Sequence, residues 1–223
     1  MSGFIAEYGA LLLQGTVDSL VMTALATLFA YVFGLPIGIL LTITQEHSIL
    51  PCRPVNMVLG WIVNIGRSIP FIILLVFLMP FTRTLVGTAT GVKGAIVPLL
   101  VAATPFVARV VETSLLEVEA GLIEVAHAAG ATIKQIVFKV MLPEAKPSIL
   151  VGVPLTFITL LGYSAMAGAV GAGGLGDIAI RYGYYRYQDI VMVATIVLIV
   201  IIVQIIQSGG MWIAKKNDKR IRK

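Results

Sequence analysis

Charged residues are scarce in this 223-residue chain: they make up 12% of the sequence, whereas 58% of its residues are hydrophobic. A soluble domain carries about 25% charged residues, so a water-soluble globule is excluded. The single cysteine, Cys52, excludes an internal disulfide and a cysteine metal cluster. His47 and His127 lack the spacing of metal ligands. The net charge of +5 is carried by residues too scattered to bind nucleic acid, and it suits a membrane surface better.

Long apolar runs are abundant, and five of them are long enough to cross a bilayer as helices of roughly 20 residues. They are predicted at residues 17–43, 55–79, 95–111, 149–170 and 190–213. Pro98, Pro105 and Arg109 interrupt the third run. The whole chain, residues 1–223, is therefore predicted to form a single all-α transmembrane domain, a polytopic helical bundle.

Basic residues are distributed unevenly between the connecting segments. One side has Arg53, Lys134, Lys139, Lys146 and six residues of the tail at 214–223, whereas the other has Arg83, Lys93, Arg181 and Arg186. The positive-inside rule places the first group in the cytoplasm, so the N-terminus is predicted outside and the C-terminus inside. The N-terminus lacks the features of a cleaved signal peptide and is predicted to be retained. The basic tail is predicted to anchor this topology, with binding to lipid head groups as the alternative.

The connection between the third and fourth spans, residues 112–148, is too long for a simple loop. Thr132 and Gln135 match a capping box, and an apolar stripe at helical spacing follows them. Gly130 is predicted to cap a preceding short helix with a positive φ, and Pro143 is predicted to end the second helix. Periodicity alone leaves two alternatives, an interfacial hairpin or a helix that docks into a groove on a partner protein.

The same segment resembles a known motif. Glu124-Val125-Ala126, three residues, Gly130, nine residues and then Val140-Met141-Leu142-Pro143 is similar to the EAA loop of ABC importer permeases. Val125 replaces one of the two alanines of that motif. The resemblance implies that this loop docks on an ATPase subunit and couples it to transport, and the coupling positions that it implies are Glu124, Ala126, Gly130, Leu142 and Pro143.

Four further segments, at residues 66–71, 162–171, 173–177 and 181–184, resemble the methionine-importer branch of that family. This resemblance implies the architecture of a type I ABC importer permease in the bacterial cytoplasmic membrane. It also implies a second copy of the chain, two ABC ATPase subunits and an extracytoplasmic lipoprotein that binds methionine. The substrate, L- or D-methionine, is implied by the resemblance alone.

The chain lacks the phosphate-binding motif Gly-x-x-x-x-Gly-Lys-Ser/Thr, so ATP and Mg²⁺ are expected on a partner ATPase, and no cofactor is expected here. One coupling loop per chain also predicts two copies for two ATPase subunits. Residues 171–176 match Gly-x-Gly-x-x-Gly, but they follow a membrane span rather than a β-strand. They therefore predict an external turn in which backbones pack closely, not a dinucleotide site.

Arg67 is the main candidate for the solute pathway. It lies about 18 Å along the predicted second span, near mid-membrane, where a charge must face protein or water. A pathway role and a structural hydrogen bond to backbone carbonyls are equally open. Four weaker candidates, which carry polar groups near Arg67 or within the fourth span, are Asn64, Ser68, Tyr163 and Ser164. Met166 is expected either to contact a thioether substrate or to fill a gap in the packing.

Other function classes fit the sequence less well. A secondary transporter driven by an ion gradient usually has internal repeats and midplane carboxylates, but Asp18 and Glu112 lie near span ends and no repeat is visible. An intramembrane enzyme would need a catalytic Ser–His, zinc or paired-Asp arrangement, and none is present. A permease for another small solute and a scaffold subunit without a pathway remain open.

Overall fold

A computed structural model describes residues 2–217, with side chains from residue 6 onward. Its regular structure is entirely helical within that range, which confirms the predicted all-α class. The α-helices are α1 (Ser2–Ile43), α2 (Arg53–Ser68), α3 (Phe71–Val86), α4 (Gly91–Leu116), α5 (Ala120–Ala128), α6 (Ile133–Gln135), α7 (Leu142–Gly168), α8 (Gly174–Ile178) and α9 (Asp189–Asn217). Two π-helical turns, π1 (Ile136–Met141) and π2 (Ala179–Tyr184), interrupt them. Residues 218–223 of the predicted basic tail lie outside the described residues.

Four helices of the described chain are long and apolar enough to cross a membrane, namely Ala6–Ile43, Gly91–Leu116, Ile133–Gly168 and Asp189–Asn217. Together α2 and α3 provide a fifth span when this bent pair is counted as one. The predicted number of spans agrees with this arrangement. Helix α1 begins well before the predicted start of the first span, since its apolar character extends nearly to the N-terminus.

The prediction of one continuous helix over residues 55–79 is wrong. Helix α2 ends at Ser68, α3 begins at Phe71, and their axes are bent by 105°. The cause is Pro70, which has no backbone N–H and disfavours helical geometry at Ile69. Pro70 adopts extended geometry, with φ −58° and ψ 132°, and its carbonyl accepts the first hydrogen bonds of α3.

The prediction that Pro143 ends its helix is also wrong. The helix continues from Ile133 to Gly168 through π1, and Pro143 occupies the second position of α7. In π1 the hydrogen bonds span five residues, as in the bond from the Leu142 N–H to the Val137 carbonyl. A π turn of this kind absorbs a missing donor without ending the helix, because the local hydrogen-bond register is already shifted.

The described chain forms two compact units. The first unit comprises Met1–Phe29, Ile69–Ala103 and Phe157–Gln207, and the second comprises Ala30–Ser68, Thr104–Thr156 and Ser208–Lys223. The basic residues used in the topology prediction divide between the two units. Arg83, Lys93, Arg181 and Arg186 belong to the first unit, and Arg53, Lys134, Lys139, Lys146 and the described tail residues Lys215 and Lys216 belong to the second.

In the first unit, glycines allow the backbones to approach closely. Gly171, Gly173 and Gly174 all have positive φ, near +80°, which side chains other than glycine rarely adopt. A Cβ at Gly174 would lie 2.5 Å from the Ser19 hydroxyl oxygen, and that hydroxyl accepts a hydrogen bond from the Leu175 N–H. The glycine-rich segment is therefore a tight packing turn, which confirms that part of the prediction.

In the second unit, α1, α2 and α4 pack around Leu41, Val63 and Ala108. Two glycines of α1 bring that helix against α4, because a Cβ at Gly34 or Gly38 would lie within 2.8 Å of side-chain or backbone atoms there. This packing holds the ends of α1, α2 and α4 together next to the segment that resembles a coupling loop.

Candidate functional site

The candidate coupling helix is α5, and it is held only loosely by its own chain. None of its residues is buried. Glu124 is exposed, Ala126 is half-buried, and 69% of the Val125 surface is exposed. An apolar side chain this exposed at the end of a membrane protein is unfavourable in water, so the helix face around Val125 is suited to contact with a partner.

The end of α5 and the start of α6 have the geometry that the sequence predicts. Gly130 has a φ of +78°, and its N–H donates to the His127 carbonyl at 2.9 Å. The Thr132 hydroxyl accepts from the Gln135 N–H at 3.4 Å, while the Gln135 side chain accepts from the Thr132 N–H at 2.8 Å. The glycine cap and the capping box are therefore confirmed.

The second part of the loop, formed by π1 and the start of α7, packs within the second unit. Ile136, Val137 and Met141 of π1 are buried, whereas Leu142 is half-buried and Pro143 is exposed. The loop consequently divides into an exposed helix, α5, and a buried segment, π1, and none of the five predicted coupling positions is itself buried. What role each position plays stays a prediction.

A cleft of about 750 Å³ lies behind α5. It is lined by the end of α1 and the following loop, by the end of α4, and by α5 and π1, including Gln45, His47, Leu115, Glu124, His127 and Met141. Both histidines therefore line one cleft despite their separation in sequence. Among the described side chains, no group of three or more His, Cys, Asp or Glu is placed to bind a metal ion.

Three of the pathway candidates lie at the end of α2, in the second unit. Arg67 is exposed in the last turn of this helix, next to the bend, so the continuous helix on which its mid-membrane depth was based does not exist. The Ser68 hydroxyl donates to the Asn64 carbonyl at 2.8 Å. The Asn64 side chain is itself a hydrogen-bond acceptor for Arg109, at 2.8 Å.

The other three pathway candidates lie on α7, in the first unit. The Tyr163 ring stacks on Phe71, with centroids 4.6 Å apart and planes within 3°. Ser164 is buried, and its hydroxyl donates to the Leu161 carbonyl at 2.7 Å, which leaves it little capacity to bind a solute. Met166 is exposed.

A polar network in the second unit was not foreseen from the sequence. One Arg109 guanidinium nitrogen donates to the Glu112 carboxylate at 2.6 Å, and the other donates to Asn64. The Gln45 amide donates to the second Glu112 oxygen at 3.2 Å. The available signal was the three-residue spacing of Arg109 and Glu112, which places opposite charges on one helix face within an apolar run.

Comparison with known proteins identifies the class to which this fold and loop belong. Residues 34–223 match the family described as "Binding-protein-dependent transport system inner membrane component". The chain belongs to this family, and it is a multi-pass protein of the cytoplasmic membrane.

Individual relatives have names that specify the transported solute. The chain is 50% identical, over 94% of its length and 93% of the relative's, to a probable D-methionine transport system permease protein MetI of Vibrio cholerae. It is 52% identical to the D-methionine transport system permease protein MetI of Escherichia coli K12 over 71% of this chain and 73% of that protein. A solved structure of the MetNI methionine ABC transporter, in an inward-facing conformation, matches with a TM-score of 0.94 and 50% identity, covering 96% of this chain and 99% of the solved one.

Proposed function

We propose that this chain is the permease subunit of an ATP-binding cassette importer, and that it forms the membrane pathway for L- and D-methionine. The observation that carries the proposal is α5, a helix with no buried residue that presents Val125 outward. The similarity to proteins named for methionine transport supports the substrate.

Coupling requires two copies of the chain. Two ATPase subunits that close on ATP present two docking grooves, and each permease copy supplies one α5 to fill one groove. Closed twofold symmetry is the common solution for such an assembly. When the ATPase subunits close, the two α5 helices move together and the pathway opens outward. Hydrolysis and release of ATP reset the complex, because ATP binding favours one of its two states.

The second unit faces the cytoplasm in this proposal, so the N-terminus is outside and the C-terminus inside. The support is that α5 and most of the basic residues belong to the same unit. Positive charge is retained on the cytoplasmic side of membrane proteins. The same side must hold α5, because ATP is found there.

The remaining partners follow from this assignment. ATP and Mg²⁺ bind to the partner ATPase, since the chain has no phosphate-binding motif and performs no hydrolysis of its own. An extracytoplasmic lipoprotein delivers methionine to the outer face. Exposed apolar side chains along the long helices contact lipid.

Uptake of labelled methionine tests the substrate. Cells that lack other methionine importers are expected to accumulate the label when they produce this chain with its ATPase and binding protein. Cells that produce only the ATPase and the binding protein should not accumulate it. Excess unlabelled L- or D-methionine should compete, whereas alanine should not.

The energy source is tested in the same cells. A protonophore that collapses the ion gradient while ATP is maintained should leave uptake intact, and an ATPase variant unable to hydrolyse ATP should abolish it. Uptake that follows the ion gradient would indicate a secondary transporter, and competition by other solutes but not by methionine would indicate a different substrate.

A further inference from the structure

The polar network around Arg109 connects three helices near the coupling loop. Arg109 and Glu112 lie on α4, Asn64 lies on α2, and Gln45 follows the end of α1. Val63 of α2 also packs on Ala108 of α4. Arg109 is therefore placed at the point where α2 and α4 meet.

This network combines a buried carboxylate, that of Glu112, with an exposed hydrogen bond from Arg109 to Asn64. Only 6% of Glu112 is exposed, and both of its oxygens accept hydrogen bonds. Hydrogen bonds between charged groups are about twice as strong as neutral ones, and burial weakens the competition from water. Arg109 in turn uses separate nitrogens for Glu112 and Asn64, so it bridges the two helices with a fixed geometry.

The network is also close to α5, the exposed part of the loop. Helix α4 ends at Leu116, and α5 begins at Ala120. Gln45, which holds Glu112, lines the cleft of about 750 Å³ behind α5. The cleft separates α5 from Gln45 and from the end of α4, so these are the elements next to α5 on that side.

We propose that Arg109 and Glu112 form a clamp that carries the movement of α5 to α2, and thereby to Arg67 at the bend between α2 and α3. Arg109, Glu112, Asn64 and Gln45 act as positioning residues. The inference rests on the proposed coupling function. According to this inference, the hydrogen bond between Arg109 and Asn64 transmits the movement from α4, next to the coupling loop, to α2, the first half of the bent span.

The test compares variants in the purified complex of this chain with its ATPase, reconstituted in liposomes and supplied with the methionine-binding lipoprotein. Asn64→Ala removes the acceptor on α2 and leaves the ion pair of Arg109 with Glu112 intact. Asn64→Asp keeps an acceptor for Arg109. Asn56→Ala is the matched control, because Asn56 is also on α2 but donates to the Leu41 carbonyl and the Thr44 hydroxyl instead.

The complex with Asn64→Ala is expected to assemble with the ATPase and to hydrolyse ATP, but to transport about tenfold less methionine per ATP. Loss of the coupling free energy between two sites typically has an effect of about this size. Asn56→Ala should stay within about twofold of the parent chain, and Asn64→Asp, which keeps an acceptor for Arg109, should transport more methionine per ATP than Asn64→Ala. The clamp is refuted if Asn64→Ala transports as the parent does, or if it and Asn56→Ala lose transport equally, which would indicate general packing. Failure of the parent chain to bind the ATPase would instead refute the proposed function.

Discussion

Replacing Val125 by Glu is expected to release the ATPase from the complex. The side chain is 69% exposed in this chain alone, so the substitution leaves the fold of the permease unaffected. In the proposed complex, however, the same position would be buried in the ATPase groove, where a carboxylate loses its water without gaining a partner. We expect docking to weaken about a hundredfold, equivalent to about 3 kcal/mol. Co-purification of the ATPase with the tagged permease measures this.

Two controls separate docking from other effects. Val125→Ala keeps the position small and apolar and should retain the ATPase. Tyr185→Glu adds the same carboxylate at a position of equal exposure, 69%, but in the first unit, and it should also retain the ATPase. If Val125→Glu binds the ATPase as tightly as these controls, α5 does not dock as proposed.

Replacing Gly176 by Ala is expected to destabilise the first unit severely. The added Cβ would lie 2.3 Å from the Ala165 Cα and 2.4 Å from the Ala165 carbonyl oxygen. Both contacts are with backbone, so no rotamer change relieves them and the helices must separate. Overpacking of this kind costs about 3 kcal/mol. The midpoint of thermal unfolding in detergent should fall by roughly 6 to 12 °C.

Gly162→Ala is the matched control for this substitution. Gly162 lies on the same helix as Ala165, but a Cβ there would meet nothing within 4 Å. Alanine also favours helical geometry more than glycine does, by up to about 1 kcal/mol. The control should therefore unfold at the same temperature as the parent chain or slightly above it. Equal midpoints for the two variants would show that the close approach at Gly176 is not required.

Features that depend on neighbouring residues in the chain were predictable from the sequence. Hydropathy locates the spans, because a helix that faces lipid must be apolar along its length. The caps at Gly130 and Thr132 follow from local backbone and side-chain chemistry. The fixed spacing from Glu124 to Pro143 predicts a coupling loop, and α5 in this segment is exposed.

The two wrong predictions concern what prolines do to helices. A hydropathy window averages over residues 55–79 and does not register that Pro70 bends the chain by 105°. At Pro143 the opposite happens, since π1 lets the helix continue. Both outcomes depend on how the surrounding backbone satisfies a missing N–H, and sequence alone does not specify this.

The polar network lay beyond sequence reasoning for a different reason. Arg67 and Arg109 are both arginines within apolar runs, and the sequence made Arg67 the more prominent. Only the fold brings Asn64 to Arg109 and Gln45 to Glu112, across 45 and 67 positions of the chain. Tertiary contacts of that range cannot be inferred from spacing within one helix.

Distances between the two copies of α5 test the central claim most directly. Gly121→Cys, introduced into a Cys52→Ser background, provides an exposed site on α5, outside the predicted coupling positions, for a spin label on each copy of the reconstituted complex. The distance between the two labels should shorten when a non-hydrolysable ATP analogue closes the ATPase subunits, and it should lengthen again when the nucleotide is removed. A distance that stays the same with and without nucleotide would contradict the mechanism, because α5 would then not follow the ATPase.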